Sequence, residues 1–294
     1  MNRFSTLTSD ALLVLTAAIW GFAFVAQRMG MDHIGPFYFN GIRFVLGGLS
    51  LLPFVFMGQI KTFRKKGRVV QPKDLVWPGL VCGGFLFAGS SFQQVGLVYT
   101  TAGKAGFITG LYVVLVPFFN LFLRQDRTSA GSWIGAFLAV AGMFLLSVTG
   151  QMRMAWGDFL VLLCAACFAG HLLVVGRYSG QVPALPLCLA QYLVCALLSL
   201  LTAGIFEPIE MAGVRAAAIP LLYGGIMSVG VAYSLQVVGQ QKSPTSHAAV
   251  ILSLESVFAA VGGWLILGEV LTGRGKIGCG LILAGMLISQ LYRR

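Results

Sequence analysis

In the stretch "HAAVILSLESVFAAVGGWLILGE" (247–269) one carboxylate, Glu255, stands near the middle of a run that is otherwise almost wholly apolar or small. An unpaired acid at a bilayer centre costs roughly 2.5–3.5 kcal/mol on insertion scales. Two chemistries suit a carboxyl in such a place: exchanging a proton, or holding an amine or other cation. The plain alternative is an acid that hydrogen-bonds one helix to the next. His247 lies eight residues before Glu255, and Lys104 lies eight before Tyr112. At a rise of 1.5 Å per residue each base is about 12 Å along a helix from its partner position. A cation so placed attracts anionic groups or closes a gate by pairing; equally, it is an interfacial base whose charge reaches water along an apolar stem.

Other polar residues interrupt apolar runs. Arg43 sits about two turns inside "FYFNGIRFVLGG", where a functional role and a pairing with helix carbonyls are both open. His171 in "AGHLLVV" offers a neutral polar contact, either to a solute or within the packing. Gln94 and Gln236 match across an internal repeat and suit a cavity wall, since an amide binds polar groups without a charge penalty; hydrogen bonding between helices is the rival account. Trp20, Phe24, Tyr99, Tyr112 and Tyr233 are candidates for an aromatic lining, against the alternative of packing or lipid contact. Glu269, at the end of its run, reads as interfacial.

Enzyme chemistry finds little support. The chain has no H-E-x-x-H, no G-x-S-x-G, no P-loop and no pair of intramembrane aspartates. The six cysteines all lie in apolar runs, and Cys164-Ala-Ala-Cys167 reads as small packing residues, so neither a disulfide nor a metal site is expected. No cofactor is implied.

The elements that must position these groups follow from composition. Of 294 residues 57% are hydrophobic and 10% charged, with a mean hydropathy of +0.87. A water-facing domain carries roughly a quarter charged residues, so a soluble fold is excluded. Ten apolar runs of about 20 residues, the length that crosses a ~30 Å core, fall at 11–28, 36–57, 75–98, 101–123, 130–149, 155–176, 184–205, 213–238, 244–267 and 273–291. The expected class is an all-α integral membrane protein whose partners are the lipid bilayer and a small-molecule substrate, as monomer or homodimer. Its net charge of +11 is a topology signal rather than the mark of a nucleic-acid partner, because no loop is large enough to form a binding module. With the N-terminus in the cytoplasm, 13 of the 20 Lys and Arg residues lie inside, six of them in "KTFRKKGRVVQPK". Both termini are therefore expected to be cytoplasmic. The first run, after Arg3, has no convincing cleavage site and reads as a retained helix.

The runs repeat. "IGAFLAVAGM" (134–143) laid on "IGCGLILAGM" (277–286) gives six identities in ten at an offset of 143, and that offset brings Lys104 over His247 and Tyr112 over Glu255. Pro78 lies over Pro220, "LSLL" at 49–52 over "LSLL" at 198–201, and Asp10 and Asp158 each open a run. The chain reads as one five-helix unit written twice, 1–150 and 151–294. Five is odd, so the second unit crosses the membrane upside down. Inverted repeats are the architecture of alternating access.

At this point the chain resembles the EamA branch of the drug/metabolite transporter superfamily. The resemblance rests on "IWGFAFVAQRMG", "GPFYFNGIRFVLGGLSLLP" and "LSLESVFAAVGGWLILGE", with "GAFLAVAGMFLL" and "GCGLILAGMLI" closing the halves, and covers nearly the full length. It departs in having Ser256 where family members typically place Pro, and Gln125-Asp126 in the first half where Gly268-Glu269 ends the ninth run. The resemblance implies two bundles around a cavity lined from both halves, and efflux of small metabolites. The function expected is a secondary transporter exporting small organic metabolites, amino acids or related amphipathic compounds, with proton coupling as one version, in the cytoplasmic membrane of a bacterium. A passive facilitator or exchanger is the alternative, and an intramembrane enzyme a remote one.

Overall fold

The computed structural model describes residues 3–62, 71–123, 129–147, 155–208, 210–268, 270 and 272–292. Glu269, and many of the loop charges on which the orientation argument rests (Arg64, Lys65, Lys66, Arg68, Arg124, Arg127, Arg153, Arg293 and Arg294), lie outside them. The described residues are helical throughout: α1 (Arg3–Gly30), α2 (Pro36–Thr62), α3 (Pro72–Tyr99), α4 (Ala102–Gly110), α5 (Tyr112–Leu123), α6 (Ala130–Ser147), α7 (Trp156–Tyr178), α8 (Ala184–Phe206), α9 (Met211–Ala216), α10 (Ala218–Leu222), a π-helix (Tyr223–Tyr233), α11 (Ser234–Gln240), α12 (Thr245–Leu252), α13 (Glu255–Leu267) and α14 (Gly273–Leu291). Eight helical stretches among them are long and apolar enough to cross a membrane, and Ala130–Leu145 is a shorter apolar helix. With no water in a bilayer core, helices are the means by which such a chain satisfies its own backbone.

Two of the stretches are broken. Leu111 separates α4 from α5, and Ser253 with Leu254 separates α12 from α13. At both breaks the backbone tightens to i→i+3 bonds: Leu111 N to Ile108 O and Val114 N to Leu111 O in one, Leu254 N to Ile251 O and Ser256 N to Ser253 O in the other. Such short 3₁₀-type steps turn a helix without a proline. Ser256, standing where the resemblance expects Pro, donates its hydroxyl to Gly106 O at 2.8 Å. Tyr112 and Glu255 thus each begin the second half of a broken helix. α4 packs on α13 and α5 on α12, so the two broken stretches run antiparallel and their starts, Lys104 and His247, lie at opposite ends of the bundle.

Helix packing follows small residues. α6 lies against α14 through Gly135 and Gly285, where a Cβ on Gly135 would sit 2.7 Å from Gly285 O, and one on Gly285 2.6 Å from Gly135 O. Elsewhere α2 packs on α8, α3 on α7 and α8, and α1 on α13 and the π-helix. α1 is also laced to the π-helix by side chains: Trp20 Nε1 donates to Ser228 O (3.2 Å), Thr16 Oγ1 to Ala232 O (3.3 Å) and Tyr223 Oη to Ile19 O (3.1 Å). Large apolar side chains such as Phe54, Phe137, Leu201 and Ile205 stand exposed on the outer faces, which suits a surface bathed in lipid rather than water.

Gly21 marks the closest approach of α1 to α13. A Cβ there would meet Phe258 and lie 2.8 Å from both Ala259 N and Glu255 O. Backbone cannot give way as a side-chain tip does, so Gly21→Val should destabilise the fold by about 1–3 kcal/mol, the usual cost of overpacking. The check is thermal melting in detergent: G21V melts several degrees below wild type, whereas Gly84→Ala, at a site with nothing within 4 Å, melts with it.

Candidate functional site

The broken helices, α1, α7 and the π-helix enclose a central cavity. Trp20, Phe24 and Gln27 of α1, Arg43 of α2, Gln93 of α3, Thr109 and Tyr112 at the first break, Phe168, His171 and Leu172 of α7, Ser228 and Tyr233 of the π-helix, and Glu255 at the second break line it. The space open to the centre of a water molecule is only about 30 Å³, room for about two waters. A metabolite fits only if the walls move apart.

The walls carry both an acid and a base. Arg43 is 2% exposed. Its guanidinium carbon lies 5.2 Å from the centre of the Phe44 ring and 5.7 Å from that of Phe39, close enough for cation–π attraction. No carboxylate among the described residues pairs with it, and its Nε meets no hydrogen-bond acceptor. Glu255 is 3% exposed. Its carboxyl neighbours the Tyr112 hydroxyl, yet neither Glu255 Oε1 nor Tyr112 Oη meets hydrogen-bond geometry with any partner. Buried polar groups are nearly always satisfied, and here a guanidinium nitrogen, a hydroxyl and a carboxyl oxygen without partners share one small cavity.

The rest of the lining holds these groups in place. His171 Nε2 and Gln191 Oε1 are hydrogen bonded at 2.8 Å, and the imidazole stands edge-on to Tyr233 (ring centroids 6.0 Å, 88°). Tyr233 also packs on Trp20 at 4.6 Å and on Phe44 at 6.1 Å. Gln93 Nε2 donates to Thr109 Oγ1 at 3.3 Å. The shell is aromatic with few polar tips, as small-molecule sites are.

Of the residues read from the sequence, Trp20, Phe24, Arg43, Tyr112, His171, Tyr233 and Glu255 come together here. Five do not. Gln94 and Gln236 do not line the cavity: Gln94 Nε2 donates to Gln27 O (3.3 Å), and Gln236 is bound to Gln240, whose Nε2 reaches Leu172 O (3.1 Å). Gln94 ties α3 to α1 and Gln236 braces Gln240 within α11, because one residue of helical advance turns the side chain by about 100° and the repeat match carried no information on which face was inward. Lys104 pairs with Asp158 and His247 with Asp10, each at an end of the bundle rather than in the cavity. Sequence reading missed Thr109 and Ser228 and passed over Gln27 and Gln93; the only available signal was the spacing Trp20, Phe24, Gln27 along one helical face. Tyr99 is exposed, away from the site.

A multi-pass helical fold around a small, mostly aromatic cavity suits a membrane transporter. The sequence pattern of the EamA-like transporter family matches residues 7–148 and again 155–290. The chain belongs to that family, within the drug/metabolite transporter superfamily. It is 34% identical over 285 residues to an uncharacterized transporter of Archaeoglobus fulgidus, covering 97% of this chain and 86% of the relative. To the threonine/homoserine exporter RhtA of Escherichia coli K12 it is 30% identical over 295 residues, covering 96% of this chain and 91% of that one. A solved crystal structure superposes on it with a TM-score of 0.78 at 22% identity, covering 100% of this chain and 99% of the other, which speaks to the fold alone.

A buried guanidinium without a counter-ion is kept against stability. Replacing buried ionic groups by apolar ones of similar volume is often neutral or stabilising by about 1–4 kcal/mol. Arg43→Met should therefore melt at or above the wild-type temperature in detergent. A loss of several degrees would mark Arg43 as structural.

Proposed function

We propose that this transporter is a secondary active exporter of small organic metabolites, amino acids or related amphipathic compounds, working by alternating access in the cytoplasmic membrane of a bacterium with both termini inside. On this reading ten helices cross the membrane as two inverted five-helix units, 1–150 and 151–294. What supports the inversion is the packing: α4 and α5 run antiparallel to α12 and α13, and the contacts of α3 with α7 are answered by those of α1 with the π-helix and α11. The family pattern occurs twice along the chain, which suits a duplicated unit. Lys and Arg counts support the orientation.

The observation that carries the reading is the cavity itself, which sets an unpartnered guanidinium nitrogen and an unpartnered carboxyl oxygen on the walls of one space too small for a solute in this state. An amino acid carries a carboxylate for Arg43 and an ammonium for Glu255, and a relative is named for exporting threonine and homoserine. Glu255 serves in turn as the proton carrier: it takes a proton when the ammonium leaves and gives it up when the next one binds, so that its carboxylate is never left bare in a low-dielectric site. Binding and deprotonation then alternate at one atom, which is what couples two fluxes.

The test is reconstitution in liposomes with a panel of amino acids including threonine and homoserine under an imposed pH gradient. Wild type should concentrate at least one of them against its own gradient. Glu255→Gln should lose that accumulation by tenfold or more and flatten its pH dependence. Accumulation by E255Q at the wild-type rate, with an unchanged pH profile, would remove the proton-carrier role; mere equilibration by wild type would make the protein a facilitator.

A further inference from the structure

A second hollow opens on the outside of the bundle. α3 and α5 each pack on α7, and between them lies a groove of about 610 Å³, against about 30 Å³ for the central cavity. Its walls are rings: Phe85 of α3 on one side, Phe118 and Phe122 of α5 on the other, all exposed on the outer surface. Its floor is α7, where Ala166 and Gly170 leave room. A Cβ on Gly170 would meet the Phe85 ring, 2.8 Å from its Cδ1, so the ring lies over a stretch of bare backbone. Gly170 faces this groove while His171, the next residue, faces the central cavity. α7 is the partition between the two spaces.

One end of the groove is polar. Arg177 and Tyr178, in the last turn of α7, complete its lining. Arg177 is exposed, and its guanidinium has no carboxylate or other acceptor among the described residues. Capping the carbonyls of its own helix is the usual work of a base in a last turn, but amides do it here. Gln181 Nε2 donates to Arg177 O at 2.9 Å and Gln241 Nε2 to Ser179 O at 2.7 Å. The guanidinium is left over, at the mouth of an apolar groove.

We propose that this groove seats one anionic phospholipid, with an acyl chain among the phenylalanines and the phosphate held by Arg177 beside the Tyr178 hydroxyl. The depth fits. From Ala166 to Tyr178 the groove follows α7 for twelve residues, about 18 Å, and half of a ~30 Å hydrocarbon core is about 15 Å. Tyr178 ends the membrane-spanning stretch Trp156–Tyr178. The groove therefore runs from the membrane surface to the mid-plane, which is the reach of one leaflet's chains. Its chemistry is graded the same way, with rings at depth and a guanidinium and a phenol at the level of the headgroups. A guanidinium offers a phosphate paired N–H donors and an opposite charge. A zwitterionic headgroup brings its own cation to the phosphate, so it gains less from Arg177. The orientation proposed above puts this end at the cytoplasmic leaflet, where basic pockets between helices seat anionic headgroups. A seated lipid braces the helix that carries His171.

Native mass spectrometry of the full chain in a neutral detergent, with phosphatidylglycerol or phosphatidylcholine of the same chains added, reads the occupancy. Wild type should bind phosphatidylglycerol severalfold more tightly, and that lipid should raise its melting temperature by several degrees where inorganic phosphate does not. Arg177→Ala should bring the two lipids to near equality, whereas Arg215→Ala, at an exposed arginine of α9, should keep the preference. Val174→Trp, which fills the groove, should weaken binding of both. Should V174W fail to fold, Phe122→Ala removes an exposed ring from the wall and should also weaken both. Equal binding of the two lipids by wild type, a preference that survives in R177A, or a thermal shift by phosphate alone equal to that of the lipid would overturn the proposal. So would a wild-type dimer that V174W disperses, which would give the groove to a second copy of the chain. No solute is present, so the outcome is separate from that of the transport test.

Discussion

A polar group in hydrocarbon must find its partner inside the protein, and the interior of this chain is arranged by that constraint. Its buried amides are spent on joining helices. Asn40 donates to Ser90 O, Gln94 to Gln27 O and Gln240 to Leu172 O, each across a helix boundary. Several of these amides leave one atom over, as Asn40 Oδ1, Gln94 Oε1 and Gln191 Nε2 do, but each is anchored by its other end. The cavity differs in kind. There the unpartnered atoms are Gln27 Oε1, Arg43 Nε, Tyr112 Oη and Glu255 Oε1, so a guanidinium, a phenol and a carboxyl join the amides. Interhelical hydrogen bonds in membranes average only about 0.6 kcal/mol, so the ties hold the scaffold by number.

The helix breaks serve the same end. A continuous helix through the middle of the protein presents no free backbone ends at depth. Breaking α4 from α5 and α12 from α13 puts helix termini beside Tyr112 and Glu255 at the level of the cavity, the arrangement by which discontinuous helices meet ions and charged substrate groups in inverted-repeat carriers. The π-helix adds to it: an eleven-residue wide turn, held by Trp20 and Thr16 of α1, brings Ser228 and Tyr233 to the wall. Irregular backbone is tolerated at this depth because it faces protein and cavity, not lipid.

Much of this was legible in the sequence. Apolar runs located the helices to within a few residues, since hydrophobic length is a strong signal, and the rarity of charge inside those runs singled out Arg43, His171 and Glu255, which all reached the cavity. Residues whose chemistry is common were not legible. Gln93 and Gln94 are adjacent and chemically identical, and only the rotation of α3 sends Gln93 to the cavity and Gln94 to α1. The π-helix has no pattern of its own, because its residues are as apolar as those of a regular helix. The break in the ninth run was obscured for a definite reason: the sequence has Ser256 in place of a helix-breaking proline, yet Ser253 and Leu254 turn the chain through i→i+3 bonds, and the Ser256 hydroxyl secures the turn to α4.

On the proposed duplication, the scaffold is symmetric and the lining is not. The offset of 143 sets Tyr112 against Glu255, and that of "LSLL" sets Arg43 against Tyr192. The first half keeps the guanidinium where the second has a phenol; the second keeps the carboxyl where the first has a phenol. A strictly repeated site would present two guanidinium groups or two carboxyls to one small space, and like charges in a low dielectric repel strongly. On that reading, divergence at those two positions sets one acid and one base on the pocket in place of two like groups. On the proposed reading, one acid and one base on the same pocket suit a zwitterion, which two like groups would not.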